Sequence, residues 1–134
     1  MSDPSYPIQV AIVSALKADA GVAAIISNRV YDTVPEKPQF PYVTLGDMQV
    51  LPDKADCIDG SELSIQIDGW SRAVGYPEVK RLGSAVVAAL DDAEIPINGH
   101  VAVVFELQSV NYVRDPDGVT RHAIITFHAL TEPA

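Results

Sequence analysis

Three histidines (His100, His122 and His128), one cysteine (Cys57) and the acids Asp53, Asp56, Asp59 and Glu62 are the residues whose types could do chemistry. Metal binding is the first chemistry to test. His122 and His128 fall six residues apart in a segment of strand-like alternation, so they share a face but sit about 20 Å apart at roughly 3.3 Å per residue. They cannot share one ion. A site would need His100 or Cys57 brought alongside one of them, and no pair of candidate ligands has the close spacing of a structural zinc site. The acids at 53, 56 and 59 are spaced by three, whereas a calcium loop alternates its acids, with glycine at the sixth position and glutamate at the twelfth. A solvated acidic loop is the plainer reading.

Nucleophilic catalysis finds no better support. No Gly-x-Ser-x-Gly elbow presents a serine, and no glycine-rich run joins a strand to a helix to cradle a phosphate. Cys57 stands beside Asp56 and close to Asp59, whose negative charges disfavour the thiolate and make it a poor nucleophile. Trp70, Tyr76 and Tyr112 could stack a ligand, but an aromatic at a strand end more commonly packs under the following helix. The sequence therefore offers no catalytic residue, no cofactor-binding residue and no metal ligand.

The elements that position these residues follow from periodicity and punctuation. Tyr6 to Lys17 predicts a helix, with Ile8, Ile12, Ala15 and Leu16 on one face and Pro7 tolerated in the first turn. Asp19 is placed to cap a second short helix over Gly21 to Ile26. Pro35, Pro38 and Pro41 then forbid a central strand and imply an extended or turning surface segment, with room for one short strand nearby. Tyr42 to Gly46 reads as a short strand, and Asp47 to Gly60, broken by Pro52 and Gly60, as a long polar loop. From Glu62 the alternation is strict: Leu63, Ile65 and Ile67 face one way, and Ser64, Gln66 and Asp68 the other. Pro77 opens a helix whose apolar stripe is Val79, Leu82, Val86 and Leu90, and Asp91, Asp92 and Pro96 close it. Lys80 and Arg81 on that helix point apart and read as a solvated face.

Two long alternating runs complete the chain, joined by Arg114-Asp115-Pro116-Asp117-Gly118-Val119-Thr120-Arg121-His122. Pro116 presets the first central position of a type I turn and Gly118 supplies the positive φ that closes a hairpin. The apolar phase slips near Ser109 and Val110, which predicts a β-bulge or an exposed twisted extension there. The order of elements gives an α+β fold: one two-layer domain over 1–134, with a mainly antiparallel sheet packed by two to three helices and a long C-terminal β-hairpin.

Composition narrows the functional classes. Nine basic and 18 acidic residues leave a net charge of −9, which opposes tight binding to nucleic-acid phosphates. With 134 residues, 48% of them hydrophobic, the chain can build a core without staples. A single cysteine allows no intramolecular disulfide and suits a reducing compartment. No signal-peptide pattern opens the chain and no apolar run approaches the ~20 residues that span a bilayer, so a soluble cytoplasmic protein is expected.

Several separated pieces together carry a family resemblance. These are Val30-Tyr31-Asp32 leading to Val34-Pro35, Phe40-Pro41-Tyr42-Val43, Trp70-Ser71-Arg72, the Gly75-Tyr76 helix start, the Arg114 to Gly118 turn and the strand ending near Thr131-Glu132. In their order and spacing the chain resembles the tail-completion, or tail-terminator, proteins of long-tailed bacteriophages and gene transfer agents. The resemblance implies a structural protein without catalysis, forming a homo-oligomeric ring, typically a hexamer, on the head-proximal end of the tail tube. Its implied partners are further copies of itself, the tail tube protein and the neck or head-closure protein, with DNA passing through the ring without specific binding and no membrane contact. It would assemble in the host cytoplasm and then reside in the virion. A head-closure or head-tail connector subunit, or a small non-viral ligand-binding or enzymatic α+β domain, are the rival readings. A head-to-tail ring needs two different patches. The acidic loop (Asp53, Asp56, Asp59) and the mixed tip with its neighbourhood (Arg72, Arg114, Asp117, Arg121) are the candidates, one expected to contact the neighbouring subunit and the other the tube or neck, the tip standing on a two-stranded arm that grips another protein. The competing expectation is that Arg114 and Arg121 simply pair with the turn aspartates.

Overall fold

The computed structural model describes residues 3–53 and 59–134, in the order α1 (Ser5–Ala18), α2 (Ala20–Ile26), β1 (Val30–Tyr31), β2 (Tyr42–Asp53), β3 (Gly60–Ser71), α3 (Pro77–Leu90), β4 (His100–Arg114) and β5 (Arg121–Pro133). The fold is α+β. Five strands form one sheet in the order β1-β2-β3-β5-β4, antiparallel throughout except for the short parallel pair of β1 with β2.

Each helix forms for the reason its sequence suggests. In α1, Ile8, Ala11, Ile12 and Leu16 return every three or four residues and are buried. Asp19 closes α1 through its backbone N–H to the Ala15 carbonyl and opens α2 by accepting from the Val22 N–H at 3.0 Å. One residue thus satisfies orphan groups of two helix ends. Helix α3 starts with Pro77 in its first turn and buries Val79, Leu82, Gly83, Val86 and Leu90. Ser71 fixes its start, donating to Glu78 Oε1 at 2.7 Å while accepting from the Ala73 N–H at 3.2 Å.

All of this apolar surface meets one face of the sheet. Leu63, Ile65 and Ile67 of β3 and Ala123, Ile125, Phe127 and Ala129 of β5 pack with Ile8, Ile12, Leu16, Leu82, Val86 and Leu90 into a single core. Full burial of each large aliphatic side chain stabilises by roughly 1.5–3 kcal/mol before chain entropy is set against it. Gly69 lets α3 come close: a Cβ there would stand 3.1 Å from Leu82 Cδ2. The opposite face carries the other parity, Glu62, Ser64, Gln66, Asp68 and Trp70 of β3 and His122, Ile124, Thr126 and His128 of β5, and no described helix covers it.

The expected strand Tyr42 to Gly46 and loop Asp47 to Gly60 are corrected by the structure. Strand β2 runs on to Asp53, and β3 begins at Gly60 as its partner. Gly46 does not end the strand because it sits at a register shift between Leu45 and Met48, where a side chain would collide with Asp68 Oδ2 and Gln66. Pro52 does not end it because β2 is paired by β1 only at Val43 and Thr44, so beyond that point a proline is tolerated with its missing N–H toward the outer edge. The bulge expected near Ser109 lies between Leu107 and Ser109, and a second lies between Ala102 and Val104.

Candidate functional site

The expected interface residues separate to the two ends of the sheet. Asp53 closes β2 opposite Gly60, and Asp59 immediately precedes β3. Asp56, like Cys57, lies outside the described residues. Arg72 follows β3, Arg114 closes β4 directly across from Arg121 at the start of β5, and Asp117 occupies the turn between them. The length of β3 separates the groups, roughly 36 Å at about 3.3 Å per residue.

The hairpin turn has the chemistry its sequence predicts. The Gly118 N–H donates to the Asp115 carbonyl at 3.0 Å across Pro116 and Asp117, and Gly118 adopts φ +73°. Asp117 organises the return into β5: Oδ1 accepts from the N–H groups of Val119 at 2.9 Å and Thr120 at 2.8 Å, and Oδ2 accepts from the Thr120 hydroxyl at 2.7 Å. The Thr120 side chain and backbone bonds, with that from Val119, lower the Asp117 pKa from its ordinary 3.8 to about 2.

The tip is latched to the body and does not stand on a free arm. Strand β5 stays paired with β3 as far as Ser71 and Arg121, so no two-stranded extension clears the sheet. Arg72 Nε donates to Thr120 Oγ1 at 3.1 Å, and the Arg72 guanidinium lies 4.5 Å from the centre of the Phe40 ring. Arg121 donates from Nη1 to the carbonyls of Gly118 and Val119 and packs over Tyr76, 5.2 Å from the ring centre. Among the described residues no ion pair joins Arg114 or Arg121 to Asp115 or Asp117, and for Arg121 the expected pairing with the turn aspartates is replaced by carbonyl and ring contacts.

Beside the latch runs a row of rings. Phe40 tilts on Tyr42 at 4.8 Å, Tyr31 on Tyr42 at 5.8 Å, Tyr42 stacks on Trp70 at 6.4 Å, and Trp70 stacks on His122 at 3.8 Å. Trp70 therefore lies on the helix-free face, where its Nε1 donates to Thr44 Oγ1 at 3.0 Å, and not under α3 as expected from strand-end aromatics. Tyr112 does meet α3, its ring pressed against Gly83, and burial raises its phenol pKa.

Two of the three histidines, His122 and His128, are flanked by carboxylates, whereas His100 is buried at the start of β4. His122 Nε2 lies 2.7 Å from Asp68 Oδ1, which also accepts from Gln66 Nε2 at 3.0 Å, and His122 Nδ1 faces Asp115 at 4.0 Å. His128 stands between Glu62 at 3.2 Å and Glu106 at 3.5 Å, one carboxylate on each ring nitrogen. Nε2 of each ring is hydrogen-bonded to a carboxylate, and Nδ1 faces a second one. The flanking acids lie on opposite sides of each ring and do not converge, and no cluster able to hold a metal forms among the described residues. A recess of about 920 Å³ lies at the other end of β4 from the tip, lined by Glu94 to Ala102. It contains no nucleophile poised beside a base.

Sequence reasoning missed Phe40, Asp68 and Thr120 as members of this end of the sheet. Asp68 was legible in principle, since its parity sets it on the face of Trp70. Nothing in the sequence marks Thr120, which is 3% exposed amid charged neighbours.

The chain matches, over residues 10–132, the family model described as tail completion protein gp17. It is 26% identical over 98 residues to the tail completion protein gp17 of Bacillus phage SPP1, covering 73% of this chain and 72% of that protein. Among solved structures, it superposes on a chain in the virion of a native gene transfer agent particle with TM-score 0.91 and 26% identity, covering 98% of this chain and 99% of that one. The structure of the bacteriophage SPP1 gp17 protein is similar at TM-score 0.60 and 24% identity, over 93% and 88% of the two chains, a likeness of fold.

Proposed function

Because the chain belongs to the tail completion protein gp17 family, we propose that it assembles as a ring, typically of six copies, on the head-proximal end of a finished tail tube. There it blocks further tube growth and presents the surface that joins the tail to the neck and head. The observation that carries this reading is the likeness, over nearly the whole chain, to a chain of a gene transfer agent virion. The mechanism is steric. A subunit bound to the growing end occupies the surfaces that the next tube subunit would use, and offers a different outer face.

The role is structural, without catalysis, cofactor or membrane contact. What supports this is the site itself: His122 and His128 are flanked by carboxylates, Arg72 is held by the Thr120 hydroxyl and the Phe40 ring, and Arg121 by carbonyls and the Tyr76 ring. The two ends of the sheet serve as the two contact patches, the end with Asp53 and Asp59 and the end with Arg72, Arg114, Asp117 and Arg121. Of the tip cations, Arg114 is the one to test, since Arg72 and Arg121 also hold the hairpin. The net charge of −9 favours DNA passing through the ring without adhering.

The decisive experiment mixes the purified chain with polymerising tail tube protein and images the products by negative-stain electron microscopy. The expected result is a ring at one end of each tube and an arrest of elongation. Tubes that elongate unchecked with the chain unbound overturn the reading, and density found only on the neck side of closed heads moves the chain to a connector position. Arg114→Glu is expected to weaken capping while leaving the melting temperature of the free chain unchanged.

A further inference from the structure

The sheet ends in two strands that are each half used. On the outer side of β2, strand β1 reaches only Val43 and Thr44, and no described strand lies beside Gly46 to Pro52. On the outer side of β4, the turn after α3 covers two positions: the Asp92 N–H donates to the Phe105 carbonyl, and the Leu107 N–H donates to Asp91 Oδ1. From Gln108 to Arg114 no described strand lies alongside. An unpaired edge of this kind is a template for another strand.

Alternation tells which groups point outward. The Val43 N–H donates outward to the Arg29 carbonyl. Carrying that parity through the one-residue shift between Leu45 and Met48 puts the N–H groups of Met48 and Val50 on the outer side. Pro52 falls on the same side, where its lack of an N–H breaks no bond to β3. In β4 the Leu107 N–H points outward, and the shift between Leu107 and Ser109 passes that direction to Val110, Tyr112 and Arg114.

We infer that, in the ring proposed above and resting on that reading, the outer edge of β2 from Gly46 to Pro52 pairs with the outer edge of β4 from Gln108 to Arg114 of the next copy. Strand direction fits. Three antiparallel steps separate β2 from β4, so the two edges run in opposite senses. Rotation about a ring axis that runs along the strands preserves those senses, and the neighbour's β2 then meets β4 antiparallel, which extends the sheet in the pattern it already has. Charge fits as well: the β2 stretch carries one charged residue, Asp47, and the β4 stretch one of opposite sign, Arg114, while neither holds a lysine of the kind that blunts an edge. Two unlike edges make a heterologous contact, which propagates from copy to copy and closes only as a ring, whereas like edges would stop at a dimer.

Hydrogen exchange on the intact chain, free and in rings collected on tail tubes, tests this directly. Peptides covering 46–52 and 108–114 are expected to slow on ring formation by on the order of 100-fold, with Met48, Val50, Val110 and Tyr112 as the amides responsible. Val50→Pro, which removes an outward donor, is expected to cut ring yield at least ~10-fold; the wild-type exchange measurement stands whether or not this variant folds. Rings that form with both peptides exchanging as in the free chain overturn the strand pairing and leave the ring reading standing. Failure to form rings even on tubes overturns both, and a two-fold dimer protected only at 108–114 overturns the heterologous contact.

Discussion

The Nε of Arg72 donates to Oγ1 of Thr120 at 3.1 Å, joining positions 48 residues apart, and the same hydroxyl donates to Asp117. A buried hydroxyl thereby links the end of β3 to the turn of the C-terminal hairpin. Thr120→Val keeps the shape and removes both bonds. It is expected to cost about 1–3 kcal/mol, since Thr120 is buried and its partners are charged. Urea unfolding of the single variant, of Arg72→Met and of the double variant measures the coupling. Additive losses would show that the bond contributes nothing.

Asp117 makes the hairpin acid-sensitive. Its folded pKa lies at about 2, below the ordinary 3.8, so its contribution to stability is fully present above 3.8 and is lost as pH falls through about 2. Wild-type unfolding midpoints are therefore expected to fall over that window. Asp117→Asn, which cannot titrate, is expected to flatten this part of the profile. An unchanged acid limb in the variant would locate the sensitivity elsewhere.

Gly83 offers a change of sign. A Cβ on Gly83 would collide with the Tyr112 hydroxyl and stand 2.9 Å from Cε1 of that ring. Gly83→Ala gains roughly 1 kcal/mol of helix propensity, yet overpacking costs about 1–3 kcal/mol, so a net loss is expected. In a Tyr112→Leu background the collision is gone, and the same substitution is expected to raise the melting temperature. Calorimetry of the four proteins gives the answer.

His122→Phe separates ring stacking from hydrogen bonding. Phenylalanine preserves the contact with Trp70 and takes one donor from Asp68, which is 5% exposed and keeps the Gln66 amide at 3.0 Å. The expected loss is about 1–3 kcal/mol, and adding Asp68→Asn is expected to recover part of it. No loss in His122→Phe would mean that the ring, and not its bond to the carboxylate, is what β5 supplies here.

Much of this fold can be read from local rules, and its exceptions share one cause. The stripe Val79, Leu82, Val86 and Leu90, the alternation of Leu63, Ile65 and Ile67, and the turn at Pro116 to Gly118 each express a preference held within a few residues. The strand reads as stopping at Gly46, and Pro52 as a breaker, because the sequence does not say that β2 is nearly an edge strand, where a proline is harmless and a glycine makes room for Asp68. Trp70 obeys its own alternation, which sets it on the face opposite Ile67, and not the habit of strand-end aromatics. At the candidate site, the arginines and Asp117 are visible in the sequence as charges. The contacts of Arg72 with Thr120 and Phe40 and of Arg121 with Tyr76 are not, because they join distant segments.

The latching of the hairpin tip governs how its variants must be interpreted. A lesion at Asp117, Thr120 or Arg121 reaches Arg72, Phe40 and Tyr76 before it reaches any neighbouring protein. A mutational scan scored only by particle yield would register these residues as contacts when they are hinges and bolts. Paired with a fold readout on the isolated chain, the same scan would single out Arg114, and the outward amides of β2 and β4, as the positions where assembly fails in a subunit that is itself intact.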